Sequence, residues 1–214
     1  MKRYKLKESC YTLGLFLTIV AFSIALTINF KPLYYYFVDQ EQLYRLAGMS
    51  RYELLAQYGK LLNYLNFPWI GRLQLKFAMS QNGMGHFVDC KKLFLFDYVV
   101  LLATVPFTVK YVYNLAKQAR FWTLINPIRW LFSLIFVLTV LMIANFNAFF
   151  VVFHKILFRN ANWLFDPVTD PIINVLPEEF FMTCFVFCLI IIIVLCLILY
   201  GLGQKELHQK NSSR

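Results

Sequence analysis

Three histidines occur in the chain, and two of them stand where an apolar run meets a polar one. His86 comes shortly before the apolar run 93–115, and His154 directly follows the run 128–153. Imidazole is the side chain whose unperturbed pKa lies near neutrality, so such a pair can take up and return protons. Asp89 is three residues after His86, one helical turn on, where a carboxylate can face the ring and orient it. Cys90 is four residues after His86, which also permits a Cys–His pair with a thiol nucleophile. Asn147 shares a helical face with His154, and Asn160, Asn162, Trp163, Asp166 and Asp170 follow it. Asp166-Pro167 and Asp170-Pro171 break any helix there and predict a folded loop.

Each histidine taken alone is equally an interfacial residue whose polar tip meets lipid headgroups. Their common position at the ends of two distant apolar runs favours a shared site, because ionisable groups at membrane depth are costly. His208, in the polar tail, reads as a solvated bystander. The sequence contains no G-x-S-x-G, H-E-x-x-H, P-loop or G-x-G-x-x-G motif. Two histidines and several aspartates suit a metal by type, but their spacing matches no metal signature. No metal and no cofactor are expected.

The elements that must position these groups follow from composition. Of 214 residues, 60% are apolar and only 15% charged, against about 45–50% and about 25% in soluble domains. That excludes a disordered chain, a coiled coil and an ordinary water-soluble enzyme. Four runs, 11–30, 93–115, 128–153 and 180–202, approach or exceed the roughly 20 residues a helix needs to cross a bilayer. They predict an all-α membrane protein with a single polytopic domain over 1–214. The basic N-terminus resembles a signal peptide, but the run after it is long and ends at Lys31-Pro32, so an uncleaved anchor is expected.

Net charge is +10, and the basic residues flank the apolar runs rather than forming a nucleic-acid surface. Lys2, Arg3, Lys5 and Lys7 lie in the head, Lys117, Arg120 and Arg129 between the second and third runs, and Lys205, Lys210 and Arg214 in the tail. The connection 154–179 has Lys155 and Arg159 against Asp166, Asp170, Glu178 and Glu179. The positive-inside rule therefore places both termini in the cytoplasm and segments 31–92 and 154–179 outside. Lys31, Lys91 and Lys92 run against it, on a segment long enough to obey the rule poorly.

Within 31–92, Ser50-Arg51-Tyr52-Glu53 predicts a capping box. Leu54, Leu55, Tyr58, Leu61, Leu62 and Leu65 then form the apolar stripe of an amphipathic helix, lying on the membrane or capping the bundle. Asn66-Phe67-Pro68 ends it. Alternation over 73–79 suggests a short strand, and Asn82-Gly83 a turn. The five cysteines are odd in number and scattered, which is not a disulfide framework.

With these residues in view, a resemblance emerges. His86-Phe87-Val88-Asp89 precedes the second run. Phe153-His154, Phe158, Asn160, Trp163, Phe165-Asp166-Pro167, Asp170-Pro171-Ile172-Ile173, Leu176-Pro177 and Phe180-Phe181 form the longer and more specific part. Together they resemble the bacterial lipoprotein intramolecular transacylase family, Lit, and the likeness extends in architecture over the whole chain. It implies a substrate, a membrane lipoprotein with a diacylglyceryl thioether on its N-terminal cysteine. It implies a reaction, transfer of the sn-2 acyl chain to the α-amino group of that cysteine, giving the lyso-form.

No covalent nucleophile is needed for that reaction, since amine and ester share one molecule. A base for the amine and a partner for the oxygen are needed. His86, oriented by Asp89, is expected to be the base and His154 to stabilise or protonate oxygen, or the reverse. Asn160, Trp163 and Asp170 are expected to shape the loop and orient the imidazoles. The expected site faces the outside of the bacterial cytoplasmic membrane, with the lipoprotein and membrane lipids as partners and no nucleic acid. Two alternatives stand beside this: a membrane lipid acyltransferase or hydrolase using Cys90–His86 or a metal, and a non-enzymatic membrane accessory protein.

Overall fold

Apolar residues dominate the long helices, and the computed structural model of residues 2–212 is helical throughout its regular parts. In chain order the helices are α1 (Lys2–Asn29), α2 (Pro32–Gln40), α3 (Leu43–Leu46), α4 (Arg51–Asn66), α5 (Gln81–Lys117), α6 (Ile125–Ala144), α7 (Phe146–Leu157) and α8 (Glu178–Ser212). Short 3-10 turns run over Phe121–Leu124 and Pro171–Val175. Four helical stretches, Lys7–Asn29, Gln81–Lys117, Phe121–Ala144 and Glu178–Ser212, are long and apolar enough to cross a membrane. Side chains are described from Lys7 onward, so the side chains of Lys2, Arg3 and Lys5, and Arg214 altogether, lie outside what the structure describes.

The third apolar run is not one helix. Asn145 leaves helical geometry (φ −162, ψ 93), and its side-chain oxygen accepts the Ala148 N–H at 2.9 Å, capping α7. An Asn carbonyl competes with the backbone for such donors, so it divides a run that hydropathy alone reads as continuous. In α5 the helix continues through Pro106. Span hydroxyls are satisfied locally, as where Ser23 donates to the Ile19 carbonyl at 2.7 Å; no water is available there to do so.

The chain forms two compact units. Among the described residues, the first comprises 2–26, 98–144 and 187–212. Its core includes Leu15, Ile19, Tyr111, Leu115, Leu124, Ile128, Ile192 and Cys196. Polar ties join its helices: Thr12 to Tyr111 at 3.0 Å, Thr18 to Thr108 at 2.6 Å and Arg120 to Glu8 at 2.6 Å.

The second unit comprises residues 27–97 and 145–186. Its core gathers Tyr34, Val38, Leu43, Leu54, Leu61, Leu65, Ile172, Val175 and Phe180. Tyr34 stacks on Tyr58 with ring centroids 3.8 Å apart, and its hydroxyl donates to the Val175 carbonyl at 3.0 Å. The capping box forms as its sequence predicts: Ser50 Oγ accepts the Glu53 N–H, and Glu53 accepts the Ser50 N–H at 3.0 Å. Leu54, Leu61, Leu62 and Leu65 of the predicted stripe are buried.

Two local expectations fail. Residues 73–79 make no strand and bend at Lys76 and Phe77, and no strand occurs among the described residues. Leu73 is buried and Leu75, Phe77 and Met79 pack against the same core, which explains the alternation. The backbone finds a side chain rather than a ladder, since Lys76 N–H donates to Gln57 Oε1 at 2.8 Å. Asn82-Gly83 is not a turn; both residues lie in the first turn of α5.

Candidate active site

Both histidines belong to the second unit. His86 sits in the second turn of α5 and His154 in the last turn of α7. Their rings lie 5.8 Å apart, centroid to centroid, and each is buried, 8% and 7% exposed. Aromatic rings wall them in. Phe158 is 4.9 Å from His86 and 5.6 Å from His154; Phe165 is 5.4 Å from His86, and Trp163 is 4.9 Å from His154. The two imidazoles can therefore act on one substrate group while bulk water is kept away.

The two rings are held differently. His154 Nδ1 lies 2.8 Å from the Phe150 carbonyl one turn earlier. A carbonyl only accepts, so Nδ1 carries the hydrogen and the neutral ring keeps its lone pair on Nε2. Burial pushes the His154 pKa below its usual value, only partly offset by that hydrogen bond. The ring is thus a neutral base with a fixed tautomer at neutral pH. His86 has Cys90 Sγ 3.4 Å from Nε2, so the Cys–His spacing brings thiol and ring together. Cys90 packs against the apolar core beside anionic Asp89, whereas reactive thiolates sit in electropositive surroundings.

Asp89 does not orient His86. One carboxylate oxygen accepts from Lys92 Nζ at 2.9 Å and the other from Asn160 Nδ2 at 2.9 Å. No hydrogen bond joins His86 to Asp89 among the described residues. A charged amine and a loop amide outcompete an imidazole for a carboxylate that lies partly in solvent. Asp89 instead ties α5 to the loop after α7.

Asn160 organises that loop. Beyond its amide bond to Asp89, its side-chain oxygen accepts the Asn162 N–H at 3.1 Å, and its carbonyl accepts from Trp163 Nε1 at 3.0 Å. The last bond sets the indole against His154. Asn147, expected on the His154 face, is exposed.

Asp170 holds the start of α5. It is 3% exposed and accepts from the Ser80 N–H at 2.7 Å and the Thr169 hydroxyl at 2.8 Å. Burial raises its pKa, but the bonds from Ser80 and Thr169 outweigh this and hold it below the usual carboxylate value. Ser80 Oγ in turn accepts the Gly83 N–H at 3.0 Å, capping α5. Here an anion meets the positive end of the helix that carries His86.

Two glycines permit the approach. A Cβ on Gly83 would run into the Asp170 carboxylate, and one on Gly85 would come within 2.9 Å of the Asn162 amide. Sequence reasoning missed this role of Gly83 and Gly85, as well as Phe150 and Thr169. Two glycines spaced i, i+2 near the start of a helix, just before His86, were the available signal. Among the described residues, no three His, Cys, Asp or Glu side chains gather as metal ligands.

Four helices long and apolar enough to cross a membrane, with two buried imidazoles side by side at the start of α5 and the end of α7, define a membrane protein with a polar group secluded among aromatic rings. The family model described as lipoprotein intramolecular transacylase Lit matches residues 9–181, and the chain belongs to that family. It is therefore an acyl-transferring enzyme of membranes. The in meso structure of the membrane integral lipoprotein intramolecular transacylase Lit from Bacillus cereus is 32% identical, covers 97% of each chain and superposes with a TM-score of 0.88. A form of that protein with a histidine mutated to arginine is 31% identical over 100% of each chain, with a TM-score of 0.78. Another, with a histidine mutated to alanine, is 31% identical over 97% of this chain and 95% of that one, with a TM-score of 0.81. No curated protein sequence matches the chain.

Proposed function

We propose that this enzyme moves the sn-2 acyl chain of a diacylglyceryl-cysteine lipoprotein to the α-amino group of the same cysteine, giving the lyso-form. The observation that carries the reading is a buried imidazole with a committed Nδ1, 5.8 Å from a second buried imidazole. The substrate ammonium has an ordinary pKa of about 7.7–8, so it must shed one proton to solvent before it can attack. The amine nitrogen then bonds to the ester carbonyl carbon and becomes positively charged, and His154 Nε2 takes the proton that nitrogen must lose, the reverse of the assignment first expected from His86 and Asp89. The neutral His86 ring donates a hydrogen bond to the developing oxyanion. The carbonyl re-forms, the carbon–oxygen bond to the glyceryl group breaks, and the imidazolium of His154 passes its proton to the departing glyceryl oxygen, which ends as a hydroxyl. The aromatic walls exclude water that would otherwise intercept the ester.

The arrangement of Lys and Arg supports an orientation with both termini in the cytoplasm and the histidines at the outer face. Asn160, Trp163 and Asp170 position the two rings, Asp89 acts only by holding Asn160, and none of the four touches the reacting atoms.

Tandem mass spectrometry of one lipoprotein from cells with and without the gene tests the reading. Total acyl mass stays constant, so fragments must locate the chain on nitrogen rather than on the sn-2 oxygen. Transfer is expected with the intact gene and not with His86→Ala or His154→Ala; an unchanged lipoprotein in cells carrying the intact gene defeats the proposal. The 3.4 Å approach of Cys90 to His86 supports a second reading, an acyl-thioester intermediate. Cys90→Ala separates the two: transfer persists in the first and stops in the second.

A further inference from the structure

The first unit contains a cavity of about 440 Å³ between α6 and α8. Phe132, Ile135, Phe136, Thr139, Ile193 and Leu197 line it. Its one lining hydroxyl is turned inward, since Thr139 Oγ1 donates to the Ile135 carbonyl at 2.8 Å. The cavity wall is therefore apolar. Ile135 forms a buried floor, while Phe136 and Leu197 stand exposed at its sides. The size falls within the range of small-molecule sites, about 300–1,000 Å³.

A charge stands at one end of it. Residues 129, 132, 136 and 139 share one face of α6, and 193, 197 and 200 share one face of α8. The next rung beyond the cavity is Arg129 and Tyr200, whose guanidinium and hydroxyl lie 3.3 Å apart. Arg129 is exposed and forms no ion pair among the described residues. The acid nearest in sequence to this rung, Glu206, accepts the Trp122 N–H at 3.2 Å, and Glu8 is taken by Arg120. From Arg129 to Thr139 the helix rises about 15 Å, half of a roughly 30 Å hydrocarbon core.

We propose that this groove is a binding site for an anionic phospholipid, with the phosphate at Arg129 and Tyr200 and one acyl chain along the cavity. An apolar slot running about 10 Å along α6 fits part of a chain, and a guanidinium that has no carboxylate partner and donates to a neighbouring hydroxyl fits a phosphate. With the termini in the cytoplasm, the lipid belongs to the inner leaflet, where Lys and Arg meet anionic headgroups. The site involves none of the acyl-transfer residues, so either proposal can fail without the other.

Native mass spectrometry of the full chain in nonionic detergent tests it, with phosphatidylglycerol or phosphatidylcholine of identical chains as the probe. Phosphatidylglycerol is expected to bind about fivefold more tightly, the contribution of one basic side chain near a lipid headgroup. Arg129→Gln, which removes the charge at an exposed position and keeps a donor near Tyr200, is expected to bring the two lipids to parity. Thr139→Trp, which fills the cavity, is expected to remove the tightest phosphatidylglycerol. Equal binding of both lipids to the unaltered protein, or a preference that survives Arg129→Gln, overturns the proposal. So does a dimer that dissociates when Leu197 is changed to Glu, which would assign the groove to a second copy of the chain.

Discussion

His154 and His86 are buried to similar extents, yet their hydrogen bonds set them different tasks. With Nδ1 held by the Phe150 carbonyl, His154 presents a lone pair; the polar partner of His86 is a thiol, Cys90 Sγ at 3.4 Å, which can donate or accept and fixes no tautomer. Removing a positioned general base typically costs about 10²–10⁴-fold in rate. His154→Gln is expected to lose that much in kcat with little change in KM, since binding energy resides in the acyl chains. The pH profile offers an independent check. Burial lowers the His154 pKa, so the acid limb of kcat is expected below the ordinary imidazole value of about 6.5. The same shift acts on stability. Below about 6.5 an unfolded histidine binds a proton that the folded one resists, so stability falls with pH in that window. An acid limb that stays in place in a residually active His154→Gln enzyme would assign the titration to another group.

Helix α5 can deliver His86 accurately only if its N-terminus is fixed, and Asp170 fixes it. The carboxylate takes the Ser80 N–H and the Thr169 hydroxyl, and Ser80 caps Gly83. Hydrogen bonds to a charged group contribute about 1.5–3 kcal/mol each. Asp170→Asn retains shape but loses charge, and is expected to lower the melting temperature and reduce kcat without abolishing it. Gly83→Ala drives a methyl into the carboxylate, and its activity loss is expected to match or exceed that of Asp170→Asn. Full activity in both variants would show that α5 is held by other means. Asp170 carries a depressed pKa, so its contribution is complete above about 3.9 and disappears as pH falls through the folded value. How much of this the sequence reveals depends on the range of the interaction. The Ser50–Glu53 capping box is local, and its four residues state it in full. Hydropathy likewise marks the four spanning helices, and family resemblance marks His86, His154 and the loop between 158 and 170. The Asp89–Asn160 bond joins residues far apart in the chain, and nothing near Asp89 indicates that Asn160 and Lys92 will claim both its oxygens. The break at Asn145 was hidden because hydropathy averages over a single polar residue. The strand reading of 73–79 failed because alternation reports one-sided burial, and a chain laid on a core shows it without any ladder.

At the scale of the molecule, the proposed reaction makes a prediction that no single side chain determines. Donor ester and acceptor amine belong to one lipoprotein, so the enzyme need only fold that substrate over the histidine pair. Such proximity replaces a second encounter and is worth about 7–11 kcal/mol of barrier. It also forbids exchange between substrates. Two lipoproteins with distinguishable peptide sequences, one bearing deuterated acyl chains, would be processed together by the purified enzyme in one lipid preparation. Each product is expected to carry on nitrogen only the chain it brought on oxygen, with no deuterium on the unlabelled peptide. Dilution of both substrates is expected to leave the fraction converted per bound substrate unchanged. Deuterium crossing between peptides would mean that the chain leaves its parent molecule, as it must in a thioester at Cys90 that is open to a second substrate. Crossover that vanishes in Cys90→Ala would then move the chemistry from the imidazole pair to the thiol that touches it. Its absence in both proteins leaves a single-substrate transfer, which is all that two secluded imidazoles and a fixed lone pair can supply.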